Sequence, residues 1–149
     1  MEIPGNIDCL LKQKSPMVCS VGPRETVFNA IKLMSDKNIG ALPVMDGDRL
    51  VGMFSERDYT RKVVLKGKSS KSTAVQEIIS TPVISVGPAH TIEECMRLMT
   101  EHRVRHLPVL DGDKVIGIVS IGDLVNWIIN AQNHALSQME DYISGKYPG

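Results

Sequence analysis

Apolar residues along the chain follow two alternating rhythms. Val27, Ala30, Ile31 and Met34 recur at three- and four-residue spacing, as do Ile92, Cys95, Met96 and Met99, so each set predicts a helix with one buried face. Thr26 and Thr91 stand just ahead of them, where a hydroxyl can accept from an otherwise unpaired amide and start the helix. The rhythm then shortens. Ala41 to Met45 and Leu50 to Phe54 are short apolar runs separated by Asp46-Gly47-Asp48-Arg49, which is turn chemistry for a two-stranded hairpin, and Leu107 to Leu110 with Lys114 to Val119 repeat the arrangement. Each hairpin leads into a second helix opened by Ser55 or Ser120, whose hydroxyl suits it as a cap. The predicted order in each unit is strand, helix, strand, strand, helix.

The two units are copies of one another. Shifted by 65 residues, positions 20–59 align with 85–124 without a gap and are identical at 16 of 40 places. Ser20-Val21-Gly22-Pro23 matches Ser85-Val86-Gly87-Pro88, and Leu42-Pro43-Val44 with Asp46-Gly47-Asp48 matches Leu107-Pro108-Val109 with Asp111-Gly112-Asp113. Gly52-x-x-Ser55-x-x-Asp58 matches Gly117-x-x-Ser120-x-x-Asp123. The polar run from Lys66 to Thr73 reads as a linker, Ile7 to Gln13 as a short helix, and Leu124, Ile128, Ile129, Leu136, Met139 and Ile143 as a long amphipathic helix ending near Gly145. The organisation is an N-terminal helical segment (1–14), a first repeat (15–66), a linker (67–74), a second repeat (75–130) and a C-terminal helix and tail (131–149). A half of about 60 residues cannot bury its sheet face alone, so the fold class is α/β of the α+β kind, two β-α-β-β-α halves packed about a pseudo-twofold axis.

Composition narrows the function. The chain has 149 residues, 42% hydrophobic and 23% charged, enough for one domain or two small halves sharing a core. Lys+Arg and Asp+Glu are both 17, which removes the global pull of a dedicated nucleic-acid or anionic-membrane binder. Two Phe, three Tyr and one Trp leave the core to aliphatic side chains. Cys9, Cys19 and Cys95 form neither a disulfide framework nor a zinc-spaced cluster, so reduced thiols in a cytoplasm are expected. No basic-then-apolar leader and no run of roughly 18 apolar residues is present, so the chain reads as soluble and unexported, with no membrane contact.

The proline-containing strand, the Asp-Gly-Asp turn and the Gly-x-x-Ser-x-x-Asp ending, in tandem at one offset, resemble a pair of CBS domains, also called a Bateman module, over about residues 14–130. The resemblance implies adenosine-containing ligands (AMP, ADP, ATP, NAD(H) or S-adenosylmethionine) held in clefts between the repeats, with no cofactor required. Asp58 and Asp123 resemble the family's ribose-binding aspartates, and one carboxylate can accept from both vicinal hydroxyls of a ribose. Ser55, Ser120 and the free amides of their helices would face a phosphate, which the helix dipole also favours. Arg105 and His106, standing where the first repeat has Gly40 and Ala41, are phosphate candidates by the same resemblance. It also implies that Cys19, Ile39 and Gly40 line the base for the site closed by Ser120 and Asp123, and that Ile84, Val104 and Arg105 do so for the site closed by Ser55 and Asp58.

Arg57, Arg61, Lys62, Lys66, Lys68 and Lys71 make one region basic, either a solvated helix face or an attractor for a second phosphate. No Ser-His-Asp order, nucleophile elbow, Walker loop, GxGxxG or HExxH appears, so catalysis is not expected. The reading is a non-catalytic regulatory module without its own effector domain, working as a homodimer or on a separate regulated protein. A small nucleotide-acting enzyme and a nucleic-acid adaptor using the Arg57 to Lys71 patch are the alternatives, the latter disfavoured by neutral charge and scarce aromatics.

Overall fold

Both threonine caps form as their positions predict. Thr26 Oγ1 accepts from the Asn29 amide at 3.2 Å to start α2 (Val27–Lys37), and Thr91 Oγ1 accepts from the Glu94 amide at 3.1 Å to start α4 (Ile92–His102). The computed structural model describes residues 3–14, 18–79 and 81–143, apart from the Tyr142 side chain. Val27, Ala30 and Met34 are buried on α2, and Ile92, Cys95 and Met99 on α4. Each helix ends on a left-handed residue, Asn38 (φ 54°) and Arg103 (φ 55°). Asparagine adopts that conformation at less cost than arginine. Arg103→Gly is therefore expected to raise stability by about 0.5–1 kcal/mol, visible as a higher urea midpoint; an unchanged or lower midpoint contradicts the strain.

The hairpins are β1 (Ala41–Asp46) with β2 (Arg49–Ser55) and β3 (His106–Asp111) with β4 (Lys114–Ser120). They are antiparallel, from Ala41 opposite Ser55 to Asp46 opposite Arg49 and from His106 opposite Ser120 to Asp111 opposite Lys114. Gly47 and Gly112 (both φ 62°) supply the positive φ of the turns. The expected first strand of each repeat shrinks to one parallel bridge, Val21 to Val44 and Val86 to Val109. The cause is proline. Val21 donates to Pro43 O (3.2 Å) and accepts from Met45 (2.8 Å), but the next donors along that ladder fall on Pro23 and Pro43, which have no N–H. Pro88 and Pro108 stop the second copy in the same way.

Each half has its own apolar cluster, and each is completed by the segment that precedes the other half. Ile7 and Leu10 of α1 (Ile7–Lys12) sit in the cluster of Ile92, Met99, Leu107, Val109, Val119 and Leu124, anchored by amides of Ile7 and Asp8 on the carbonyls of His90 and Pro88 (both 2.9 Å). Reciprocally, Val75 and Ile78, on and beside the 3-10 turn Val75–Glu77, complete the cluster of Val27, Met34, Leu42, Val44 and Phe54. This exchange relates the halves by a pseudo-twofold. Close approach needs glycine twice: a Cβ at Gly52 would come within 2.6 Å of Ile79, and one at Gly117 within 2.7 Å of Leu11. The polar linker also has a fixed task, since the carbonyls of Thr73 and Ser70 accept from the Val27 and Phe28 amides (both 2.9 Å) that the start of α2 leaves unpaired.

The second helices differ between the copies. In the first half α3 (Glu56–Asp58) passes at once into a π-helical stretch, Tyr59–Val64. In the second, α5 (Ile121–Ile143) is continuous. Its Leu124 is buried and Ile128 half-buried, whereas Ile129, Leu136, Met139 and Ile143 are exposed, Ile143 by 81%. The expected end near Gly145 lies outside the described residues. No helix among the described residues is long and apolar enough to cross a membrane.

Candidate functional site

A cavity of about 470 Å³ lies between the halves. The first half contributes Cys19, Lys37, Ile39 and Gly40, the second His106, Ser120 and Asp123. Residues expected to line the base and residues expected to hold the sugar and phosphate thus share one cleft. Its size suits a small organic ligand.

The Ser120 to Asp123 corner is built by helix capping. Asp123 Oδ2 accepts from the Ser120 amide at 2.8 Å, and Ser120 Oγ accepts from the Asp123 amide at 3.1 Å. The Ile121 amide donates to the Arg105 carbonyl (2.8 Å), so among the described residues the Gly122 amide is left at the start of α5. The set of free amides expected there is reduced to that one donor. Lys14 Nζ donates to Asp123 Oδ2 (2.6 Å) and to the Ile118 carbonyl (2.8 Å), joining the N-terminal segment to the cleft. Among the described residues Asp123 Oδ1 has no hydrogen-bond partner. Burial would raise the Asp123 carboxyl, but the Lys14 ammonium and the Ser120 donors outweigh it and hold the group below its ordinary value. It is an anion with an open acceptor.

Arg105 and His106 separate. His106 turns into the cleft, where a Cβ on Gly40 would lie only 3.2 Å from its ring, so the glycine gives the imidazole room. Burial lowers the His106 pKa; Asp123 opposes that shift, and Lys14 and Arg105 reinforce it. Arg105 is exposed and does not line this cleft, as expected of neighbours at a strand start whose side chains alternate. Of the two phosphate candidates, His106 lines this cleft and Arg105 does not.

The mirror position is arranged differently. Ser55 and Asp58 form the same capping box (3.0 and 3.2 Å), and Glu56 donates to the Gly40 carbonyl at 3.1 Å. Lys62 pairs with Asp58 (3.2 Å) and donates to the Ile78 carbonyl (3.2 Å). Arg57 reaches across the halves to the Arg103 carbonyl at 3.2 Å, next to Val104 and Arg105. Ile84 and Val104 pack, half-buried, against the second half's core. The basic run is partly spent locally: Lys71 Nζ sits 5.0 Å from the Phe28 ring centre, and none of these cations lines the 470 Å³ cavity. Among the described residues no group of three His, Cys, Asp or Glu side chains could hold a metal ion.

Lys14, Lys37 and Leu11 are cleft residues that the sequence did not single out. Lys37 precedes Ile39 at the end of a predicted helix and was within reach of that pattern. Lys14 and Leu11 lie outside the repeat, where no internal copy marks them.

A family model described as CBS domain matches residues 14–65 and again 75–130. The mitochondrial CBS domain-containing protein CBSX3 of Arabidopsis thaliana is 40% identical over 128 residues, 83% of this chain and 62% of that protein, so the chain spans less than two thirds of that relative's length. CBS domain-containing protein YhcV of Bacillus subtilis is 37% identical over 114 residues, 76% of this chain and 81% of that protein. A solved structure of a Burkholderia ambifaria protein with CBS domains superposes with a TM-score of 0.82 at 52% identity, covering 85% of this chain and 96% of that one.

Proposed function

The chain belongs to the CBS-domain family, and from that premise we propose that it is a non-catalytic regulatory module that binds an adenosine nucleotide, AMP, ADP, ATP or NAD(H), between its repeats. The observation that carries the proposal is the shared cleft: an ionised Asp123 with an open acceptor, backed by the Ser120 cap, faces Cys19, Ile39 and Gly40 across a 470 Å³ space. In this reading the carboxylate takes the ribose hydroxyls, the apolar wall of the first half takes the base, and His106 and the Gly122 amide take phosphate. A ligand touching both halves favours one relative orientation by as much as its affinity differs between orientations. The exposed apolar face of α5 then carries that shift to a second copy of the chain or to a separate regulated protein. A cytoplasmic location belongs to the proposal, although the name of the Arabidopsis relative places that protein in the mitochondrion.

Calorimetric titration with AMP, ADP, ATP and NAD tests the reading. One site per chain, tighter than about 1 mM, is expected, because Arg57 and Lys62 already occupy the polar groups at the mirror position. Two equivalent sites would remove the inequality of the clefts, and no binding of any of the four would remove the nucleotide.

A further inference from the structure

The charge of the cleft is set by a residue that stands ahead of the duplicated segment. Lys14 follows α1 and reaches the cavity with its side chain still 36% exposed, while Asp123, its partner at 2.6 Å, is 25% exposed. Among the described residues Asp123 is the only carboxylate that lines the cavity, and Lys14 neutralises it; a second, Glu56, lies behind Gly40, its Oε1 3.6 Å from where a Cβ on that glycine would sit. Lys37, for which no ion pair is formed among the described residues, lies on the opposite wall, with His106 between the halves. An ammonium carries three donors. Two of those on Lys14 are committed, to Asp123 Oδ2 and to the Ile118 carbonyl, and the third is available to a ligand beside the carboxylate.

A neutral nucleoside would gain only hydrogen bonds from such a site, and a cationic sulfonium ligand would find the lining carboxylate already paired with Lys14. A phosphate ester placed next to the ribose would instead collect the spare Lys14 donor and the field of Lys37. The geometry points to Lys14 as the residue that makes the cleft select phosphate-bearing adenosine ligands over phosphate-free ones, an inference that rests on the nucleotide reading above. The N-terminal segment is fastened to α5 at its other end, where Trp127 Nε1 donates to the Pro4 carbonyl at 2.7 Å and the indole lies against Gly5. The segment thus meets α5 at two places, Pro4 at Trp127 and Lys14 at Asp123.

The test is the ratio of dissociation constants for adenosine and AMP, measured by calorimetry on the full chain, on Lys14→Met and on Lys14→Arg. The parent is expected to prefer AMP at least about tenfold, Lys14→Met to drop that preference below about threefold, and Lys14→Arg to keep most of it. A preference that Lys14→Met leaves intact would show that Lys14 only pairs with Asp123; it would overturn this inference and leave the nucleotide reading standing. A parent that binds adenosine and AMP equally would overturn the selectivity itself. A parent that binds neither would overturn the nucleotide reading and this inference together.

Discussion

Asp123→Asn is expected to weaken AMP binding in the cleft about 10- to 100-fold, the equivalent of roughly 1.5–3 kcal/mol for a lost charge-assisted contact to a ribose. The asparagine keeps the size of the side chain and can still accept from the Ser120 amide, now at 2.8 Å, so the start of α5 is disturbed less than by alanine, which would delete the cap. What it loses is the negative charge that Lys14 and the Ser120 donors hold in place. Asp58→Asn is the control: the same chemistry in the other copy, but away from the 470 Å³ cavity, so binding at the strong site should change less than about twofold. Calorimetry on both variants settles the point, and an Asp123→Asn curve superimposable on the parent's would refute ribose recognition by this carboxylate.

Phe54→Ala is expected to cost about 3–5 kcal/mol of stability. Phe54 is wholly buried, and it is the largest such side chain in the molecule's described core. The equivalent place in the second half is Val119, also wholly buried, so a small residue is acceptable there but not here. The difference lies in the neighbours. Where the first half has Val27, Ala30 and, from the exchanged segment, Val75, the second has Ile92, Cys95 and Ile7, each larger. The two cores reach a similar filling by different distributions of volume, and truncating Phe54 removes the first half's share with nothing to replace it. Urea unfolding should show a much lower midpoint at an unchanged slope, and a loss under about 1 kcal/mol would contradict this division of the core.

The internal repeat made most of the fold legible. Val27, Ala30 and Met34 at helical spacing, the capping threonines and the Asp-Gly-Asp turns all state local preferences, and the folded chain satisfies them locally. Hydrophobic spacing, however, says which face of Ile7–Lys12 is buried and not what buries it. That α1 completes the second half's core and Val75–Glu77 the first's is a tertiary choice with no local signal beyond Gly52 and Gly117. The shortened first strands were readable in principle, because Pro23 and Pro43 remove consecutive donors from the same ladder. The pairing of Cys19, Ile39 and Gly40 with Ser120 and Asp123 came from the family resemblance, and the cavity brings those residues together. Lys14 was invisible because it stands outside the duplicated frame.

Backbone-amide NMR of the full chain titrated with AMP tests the central claim most directly. The largest shift changes are expected at Ile39, Gly40, His106, Ser120, Gly122 and Asp123, from both walls of one cleft and at the same midpoint. Changes concentrated instead between Arg57 and Lys71, or absent from either wall of the cleft at saturation, would contradict it.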